Sequence, residues 1–354
     1  RSRSTSDITN TVRDIGARHN AETTMEDLSF YVSGLAEDED VMHAHLADIG
    51  QNASLDPQMI EAERGAIIAE IRDYNDRPDV ACIANGRVAA FQNCSLGAPV
   101  IGTETSVANM TRQDLADYSQ THLHAGNLIV AVSGNVDPVK TRDKVKHLTS
   151  AMKAATSVDP GAANFTEDTV HTQYPIQQLQ LALIFESAAS GHANYASERL
   201  LADILGGGEG SRLWDEFRTK NGLVYDVFCG REVYKDTGLF KIHLQHDPQH
   251  LEQVVQTLTT QIRNIARYGV DQQEVDRSKK SMTVGIAEFE ESGFARMQTH
   301  ANNVRSYGRN ITLDERLKHL SAVTPQSIQA EAQRIFSGRY VVSTVGDSKT
   351  SPIS

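Results

Sequence analysis

No stretch of the 354 residues approaches the roughly eighteen uninterrupted apolar residues that a membrane span needs, so a membrane-spanning protein is not expected. Cysteine is scarce: Cys82, Cys94 and Cys229 lie far apart, odd in number and without a CxxC pair. That argues against a disulfide scaffold or a cysteine zinc site and leaves the redox compartment open. Positive charge is in deficit, with 34 Lys and Arg against 46 Asp and Glu and a formal net charge of −12. A phosphate-binding surface needs a basic stripe, and none is visible, so nucleic acid is not an expected partner. The acidic balance suits a merely soluble surface or a basic polypeptide substrate. The first residue is Arg1 and nothing resembles a signal or transit peptide, so a processed or incomplete product is expected.

The length allows two ordinary domains, and 39% hydrophobic with 23% charged residues reads as globular. A weak internal repeat organises them. In the first half a helical stretch ends near Gly16, an alternating strand follows at Leu28, Phe30 and Val32, and a helix runs from Asp38 to Ile49. In the second half a helix ends near Gly222, a strand passes through Leu239, Ile242 and Leu244, and a helix follows from about His250 to Ile262. Each half closes alike, with a helix, a small turn (Ala125-Gly126 or Ser337-Gly338) and an apolar strand. Those strands are Leu128 to Val132 before Gly134, and Tyr340 to Val345 before Gly346. Gly16 and Gly222 are 206 positions apart and Gly134 and Gly346 are 212 apart, a nearly constant offset.

Adjacent strand pairs among long helices indicate an α+β class rather than a parallel doubly wound sheet. The expectation is two similar α/β sandwich domains, each an antiparallel-rich sheet covered by helices: 1–156, a linker at 157–170, and 171–354. Ahead of Gly222 the second half places a strand (Leu179 to Phe185), a helix (about Asn194 to Leu205) and a second helix through Trp214. Ahead of Gly16 there are only fifteen residues. By this symmetry the first domain is expected to lack its leading strand and first helix.

The most informative helix opens at Asp56-Pro57, an N-cap followed by proline at the first helical position, and runs to about Tyr74. At 100° per residue Met59, Ile60, Ala66, Ile67, Ile71 and Tyr74 share one apolar arc, and Glu63 and Glu70 fall inside it. Carboxylates on a core-facing stripe are costly without a cation, so a metal or a buried arginine is one reading. The other is a rolled helix that leaves both glutamates solvated.

The run Glu63-Arg64-Gly65-Ala66-Ile67-Ile68-Ala69-Glu70, with Asp76-Arg77-Pro78-Asp79 after it, resembles the third-ligand helix of the pitrilysin/insulinase zinc peptidases, processing-peptidase branch. In that family an upstream HxxEH motif supplies two histidine ligands and the general base. The resemblance implies that Glu70 is the third zinc ligand and Glu63 the carboxylate supporting it. Asn20-Ala21-Glu22-Thr23 resembles the family's edge strand, along which substrate pairs, and Leu96-Gly97-Ala98-Pro99-Val100-Ile101-Gly102-Thr103 resembles the loop after the site. Arg218 and Tyr225, in Phe217-Arg218-Thr219-Lys220-Asn221-Gly222-Leu223-Val224-Tyr225, match the pair that holds the substrate carbonyl and oxyanion. Gly206-Gly207-Gly208-Glu209-Gly210 is similar to the glycine loop at the cleft entrance of processing peptidases. It follows a helix and lacks the ending of a phosphate cradle, so no nucleotide site is read there.

The implied activity is a zinc-dependent endopeptidase or processing-peptidase subunit, one zinc per complete protein, cutting peptides or presequences in a cleft between homologous domains. A homologous second subunit or a homodimer is the implied partner. A non-catalytic regulatory or respiratory-complex core subunit is the alternative. Neither HxxEH nor HExxH occurs in the sequence, so this chain alone is expected to lack two metal ligands, to bind no catalytic zinc and to be inactive by itself. Cys94 stands where the family commonly has histidine, and Leu28 where it has threonine. His43 and His45, two apart on a helix, point about 200° from each other and are expected at the surface, as are His122 and His124.

Overall fold

The computed structural model describes residues 3–155, 158 and 161–347; Ser157, Asp159 and Pro160 of the expected linker lie outside them. In chain order the first elements are α1 (Thr5–Asp14), β1 (Arg18–Thr23), β2 (Leu28–Ser33), α2 (Glu39–Gln51), α3 (Pro57–Asn75) and α4 (Pro78–Ala90). Then come α5 (Glu104–Asn109), α6 (Arg112–His122), α7 (Pro138–Thr149), β3 (Asp168–Gln173), β4 (Leu179–Ser187) and α8 (Tyr195–Gly206). The short α9 (Arg212–Trp214) runs into a π-helical turn, Asp215–Lys220. The rest are β5 (Val224–Val233), β6 (Gly238–His246), α10 (Leu251–Tyr268), α11 (Gln272–Glu291), α12 (Gly293–Tyr307), α13 (Leu313–Ser321), α14 (Pro325–Phe336) and β7 (Tyr340–Gly346). The class is mixed α+β. No helix of the described residues is long and apolar enough to cross a membrane.

The chain forms two compact units, each drawn from several segments. Unit 1 takes Arg1–Ile71, Val100–Asp159 and Glu288–Asn310; unit 2 takes Arg72–Pro99, Pro160–Ala287 and Ile311–Ser354.

Unit 2 is built on a five-stranded sheet of order β3-β7-β4-β6-β5, parallel between β3 and β7 and antiparallel elsewhere. The apolar run Leu179 to Phe185 makes β4 a central strand, buried along nearly its whole length, because both faces are covered. Leu181 and Phe185 pack into a core with Leu200, Leu205, Leu258, Ile328 and Ile335 from α8, α10 and α14. Ile184, one step out of phase, meets α4 on the other face. A Cβ at Gly86 would lie 2.5 Å from Ile184 Cδ1 and 3.0 Å from Ser343 Cβ, so a larger residue there would force the Ile184 side chain to move. Beside it the Cys82 thiol donates to the Ser343 carbonyl at 3.3 Å, and burial pushes its pKa up to about 12. Where β4 leaves the sheet, the fully buried Glu198 accepts from Ser187 Oγ (3.0 Å) and Ala188 N (3.2 Å) and pairs with Arg231 and Arg334.

Unit 1 is different. Its sheet is the antiparallel pair β1–β2, in register from Arg18↔Ser33 to Thr23↔Leu28. α2 packs on β2, and α7 on α2 through Lys144, whose ammonium lies 2.6 Å from Asp40 and 3.4 Å from Glu39. Among the described residues its buried apolar side chains are Val12, Ile71 and Val107.

Two expectations fail here. Leu128 to Val132 is not a strand: no described strand lies alongside it, and Leu128, Ile129 and Val130 are 44, 43 and 48% exposed. An apolar run becomes a strand only when a neighbour takes its hydrogen bonds. The arc of α3 is likewise only partly covered: Met59 and Ala66 are exposed, Ile60, Ile67 and Tyr74 are half-buried, and Ile71 alone is buried.

Candidate functional site

α3 starts where its sequence says it should. Asp56 Oδ1 accepts from the N–H groups of Gln58 (2.9 Å) and Met59 (3.2 Å), satisfying donors that the first turn leaves free. Arg64 fixes the helix within unit 1: its guanidinium donates to the Ala108 (3.2 Å) and Met110 (2.8 Å) carbonyls and to that of Val107, capping the end of α5. Arg64 is therefore committed to helix-end carbonyls and to Glu61, which it meets at 3.1 Å, and not to Glu63 or Glu70.

Glu63 and Glu70, two turns apart on one face, are both exposed, and neither carboxylate has a hydrogen-bond or ion-pair partner among the described residues. Both carboxylates thus stand in solvent, because no described residue of unit 1 covers this side of α3. No group of three or more His, Cys, Asp and Glu side chains that could hold a metal occurs among the described residues. A catalytic zinc takes three ligands from such side chains and a water as the fourth. An accessible, unpartnered Glu70 carboxylate fits as one donor, and the described residues do not make the whole set.

β1 carries Asn20, Ala21, Glu22 and Thr23, all exposed, in a sheet of two strands, so its outer edge is unpaired among the described residues. Asn20 Oδ1 accepts from the Ala21 N–H at 2.9 Å. Behind the strand, His19 Nδ1 lies 2.9 Å from His45 Nε2, the rings tilted by 57°. His45 is buried at 2% exposure and His43 is half-buried, so the surface placement of this pair is corrected: β1 brings His19 down onto α2. His124, expected at the surface, is buried as well. Burial lowers the pKa of both His43 and His45, since each ring loses solvent that would stabilise its charge.

In unit 2 the structure brings Arg218 and Tyr225 together. Arg218 stands on the π-helical turn, and its Nη1 donates to the Tyr225 carbonyl at 2.9 Å. Its guanidinium carbon lies 4.6 Å from the Trp214 ring centroid and 5.8 Å from that of Tyr225. Tyr225 itself occupies a β-bulge, where the pairing of β5 with β6 slips between Val224 and Asp226. The extra residue turns its ring out, 67% exposed, while Val224 stays in the core. Two backbone irregularities of the kind common at functional sites thus aim one cation and one phenol into solvent. Trp214 is the partner that sequence reading missed; its spacing of four from Arg218 on one helical stretch was the available signal. Gly206, in the glycine loop, ends α8 where a Cβ would lie 2.5 Å from Cys229 Sγ.

Two family models match the chain: one described as insulinase, peptidase family M16, over residues 1–104, and one as the peptidase M16 inactive domain over residues 109–282. Among curated relatives, the uncharacterized zinc protease YmxG of Bacillus subtilis is 26% identical over 338 residues, covering 96% of this chain and 83% of its own length. An uncharacterized zinc protease of Rickettsia felis is 27% identical over 335 residues, covering 94% and 81%. Among solved structures, a peptidase M16 inactive domain from Pseudomonas fluorescens superposes with a TM-score of 0.89 at 17% identity, covering 98% of this chain and 84% of that one. A chain of the Candida albicans complex III2 gives 0.83 at 18%, covering 97% and 86%. At such identities these two likenesses show the fold alone.

Proposed function

Because the chain belongs to the insulinase (pitrilysin) family of M16 peptidases, we propose that it is the body of a zinc-dependent endopeptidase or processing-peptidase subunit acting on polypeptides. The observation that carries this reading is the free, accessible Glu70 carboxylate on an otherwise anchored α3. Glu70 would hold zinc with two histidines that are not among these 354 residues, and Glu63, on the same face, would support it. Bound zinc would supply an activated water for amide hydrolysis. Arg218 and Tyr225 would bind the substrate carbonyl and the charge that develops on it, with Trp214 holding the guanidinium in place. An extended peptide would add to the free edge of β1 along Asn20 to Thr23. The halves 1–156 and 171–354 remain the proposed repeat, and a homologous second subunit or a second copy the proposed partner.

The test is zinc content and peptide cleavage by the full-length protein carrying the HxxEH segment. Glu70→Gln should lose tight zinc and turnover with the fold intact, and Glu63→Gln should cost about 10- to 100-fold. Arg218→Ala should keep zinc and lower turnover by about 10²-fold. Stoichiometric zinc and normal turnover in Glu70→Gln would remove α3 from the metal site. A second reading, a non-catalytic partner subunit, is favoured by the description of the model matching residues 109–282 as an inactive domain. A full-length protein that binds no zinc and cleaves nothing would establish it.

A further inference from the structure

On unit 2, apart from every residue given a role above, lies a cavity of about 580 Å³. One wall is α9 with the π-helical turn, and the other is the C-terminal end of α10 with the turn into α11. Its volume is far more than the ~30 Å³ one water occupies, so it can admit a small organic group.

The chemistry of the lining selects what could enter. Both cations are already neutralised: Arg212 makes a two-bond fork to Glu274 at 2.6 and 2.7 Å, and Lys220 lies 2.9 Å from Glu216. The Asp215 carboxylate accepts no hydrogen bond among the described residues, and Lys220 is the cation whose field it feels. The side-chain amides of Gln261 and Asn264, half-buried on α10, neither donate nor accept there. α10 is 18 residues long, and its carbonyl end, which carries partial negative charge, closes the same cavity. The α10 carbonyls of Ile265, Ala266 and Arg267 already accept from Gly269 N–H, Gln329 and Gln333, so what is left unused is one carboxylate and two side-chain amides, each with an accepting oxygen and a donating NH2. An anion would meet repulsion, and an apolar group would bury the carboxylate and amides unpaired. A planar cation with several donors fits a site whose acceptors are spread around it, and a guanidinium has five donors in one plane.

We propose that this cavity is a binding site for a guanidinium group, held by Asp215, Gln261 and Asn264 against the C-terminal end of α10. The proposal does not depend on the peptidase reading, since it concerns binding alone. The guanidinium could belong to a free small molecule or to an arginine side chain of a polypeptide.

The protein carries its own reporter. Trp214, its sole tryptophan, precedes Asp215 in the chain. Its fluorescence should be followed while the protein is titrated with agmatine, or with a blocked Gly-Arg-Gly peptide, against matched sodium chloride. A saturable change that salt weakens is expected. Asp215→Asn should weaken it about tenfold or more, as losing a charged acceptor does. Asn264→Ala, on the opposite wall, should weaken it independently, and it keeps the test valid if Asp215→Asn does not fold. Saturation by agmatine assigns a free cation, and saturation by the peptide alone assigns an arginine side chain. No saturable response to either probe at millimolar concentrations, or undiminished affinity in both variants, overturns the site.

Discussion

The two units make a controlled contrast. Both contain amphipathic helices and apolar runs, yet unit 2 seals a core on both faces of five strands while unit 1 buries few apolar side chains around two. The clearest pair is Tyr340 to Val345 against Leu128 to Val132, which read alike in sequence. The first is β7, inserted between β3 and β4 and buried at every position after Tyr340; the second has no strand beside it among the described residues, and its Leu128, Ile129 and Val130 are exposed. Local pattern supplies the readiness to form a strand, and a partner decides whether it does.

Hydrogen exchange measures this contrast most widely. The amides of β4, bonded on both sides, should open only with the whole unit, at a cost on the order of 5–15 kcal/mol, while those of Leu128 to Val132 should exchange at almost none. Equal protection would mean that the apolar run of unit 1 has found a partner.

Charge should separate the units next. Glu198→Ala leaves Arg231 buried without its carboxylate and should cost about 3–5 kcal/mol in urea unfolding. Asp27→Ala, which removes a half-buried partner of Arg305 in unit 1, should cost below about 1 kcal/mol. Packing should follow the same order. Phe240→Ala, at a fully buried site, should lose about 3–5 kcal/mol, and Phe289→Ala, 56% exposed in unit 1, no more than about 0.5 kcal/mol. A Phe289 cost matching that of Phe240 would show the face to be covered.

The smallest effect is in acid. Burial depresses the pKa of His243 in unit 2 and of His45 in unit 1, so each is neutral when folded and takes up a proton on unfolding. The unfolded chain then binds more protons below the ordinary histidine value of 6.5, and stability should fall as pH drops through it. Thermal melts between pH 7 and 5 should show a shallower fall in His243→Asn, by roughly 1 kcal/mol at the acid end. An unchanged slope would mean that His243 is solvated.

What the sequence made legible follows from the same contrast. The cap at Asp56, the span of α3, and the strands β4, β6 and β7 could be read because cap chemistry and burial in a completed sheet leave periodic traces. The exposure of Glu63 and Glu70 could not, since periodicity says which residues share a face and not whether anything covers it. His45 looked superficial because a two-residue spacing says nothing of His19, 26 positions away. Arg218 and Tyr225 came from resemblance, whereas the π-helical turn and the bulge that aim them exist only in the pairing of β5 with β6. The cavity beside Asp215 joins two walls about fifty residues apart, beyond the reach of any local pattern.

The position of β7 carries a consequence for how the protein is made. Of the described strands of unit 2, the last to be synthesised is not an edge but the one that joins β3 to the rest of the sheet. Until it arrives, β3 has no neighbour, the β4 edge that β7 will cover stands open, and α4 has only part of its floor. Synthesis at roughly 5–20 residues per second holds β4 in that state for about 8 to 30 seconds after its own translation. An open, apolar strand edge is an invitation to pair with another chain. A nascent chain stopped short of Tyr340 should therefore be a client for chaperones, and the arrival of β7 is the event that completes the sheet of unit 2.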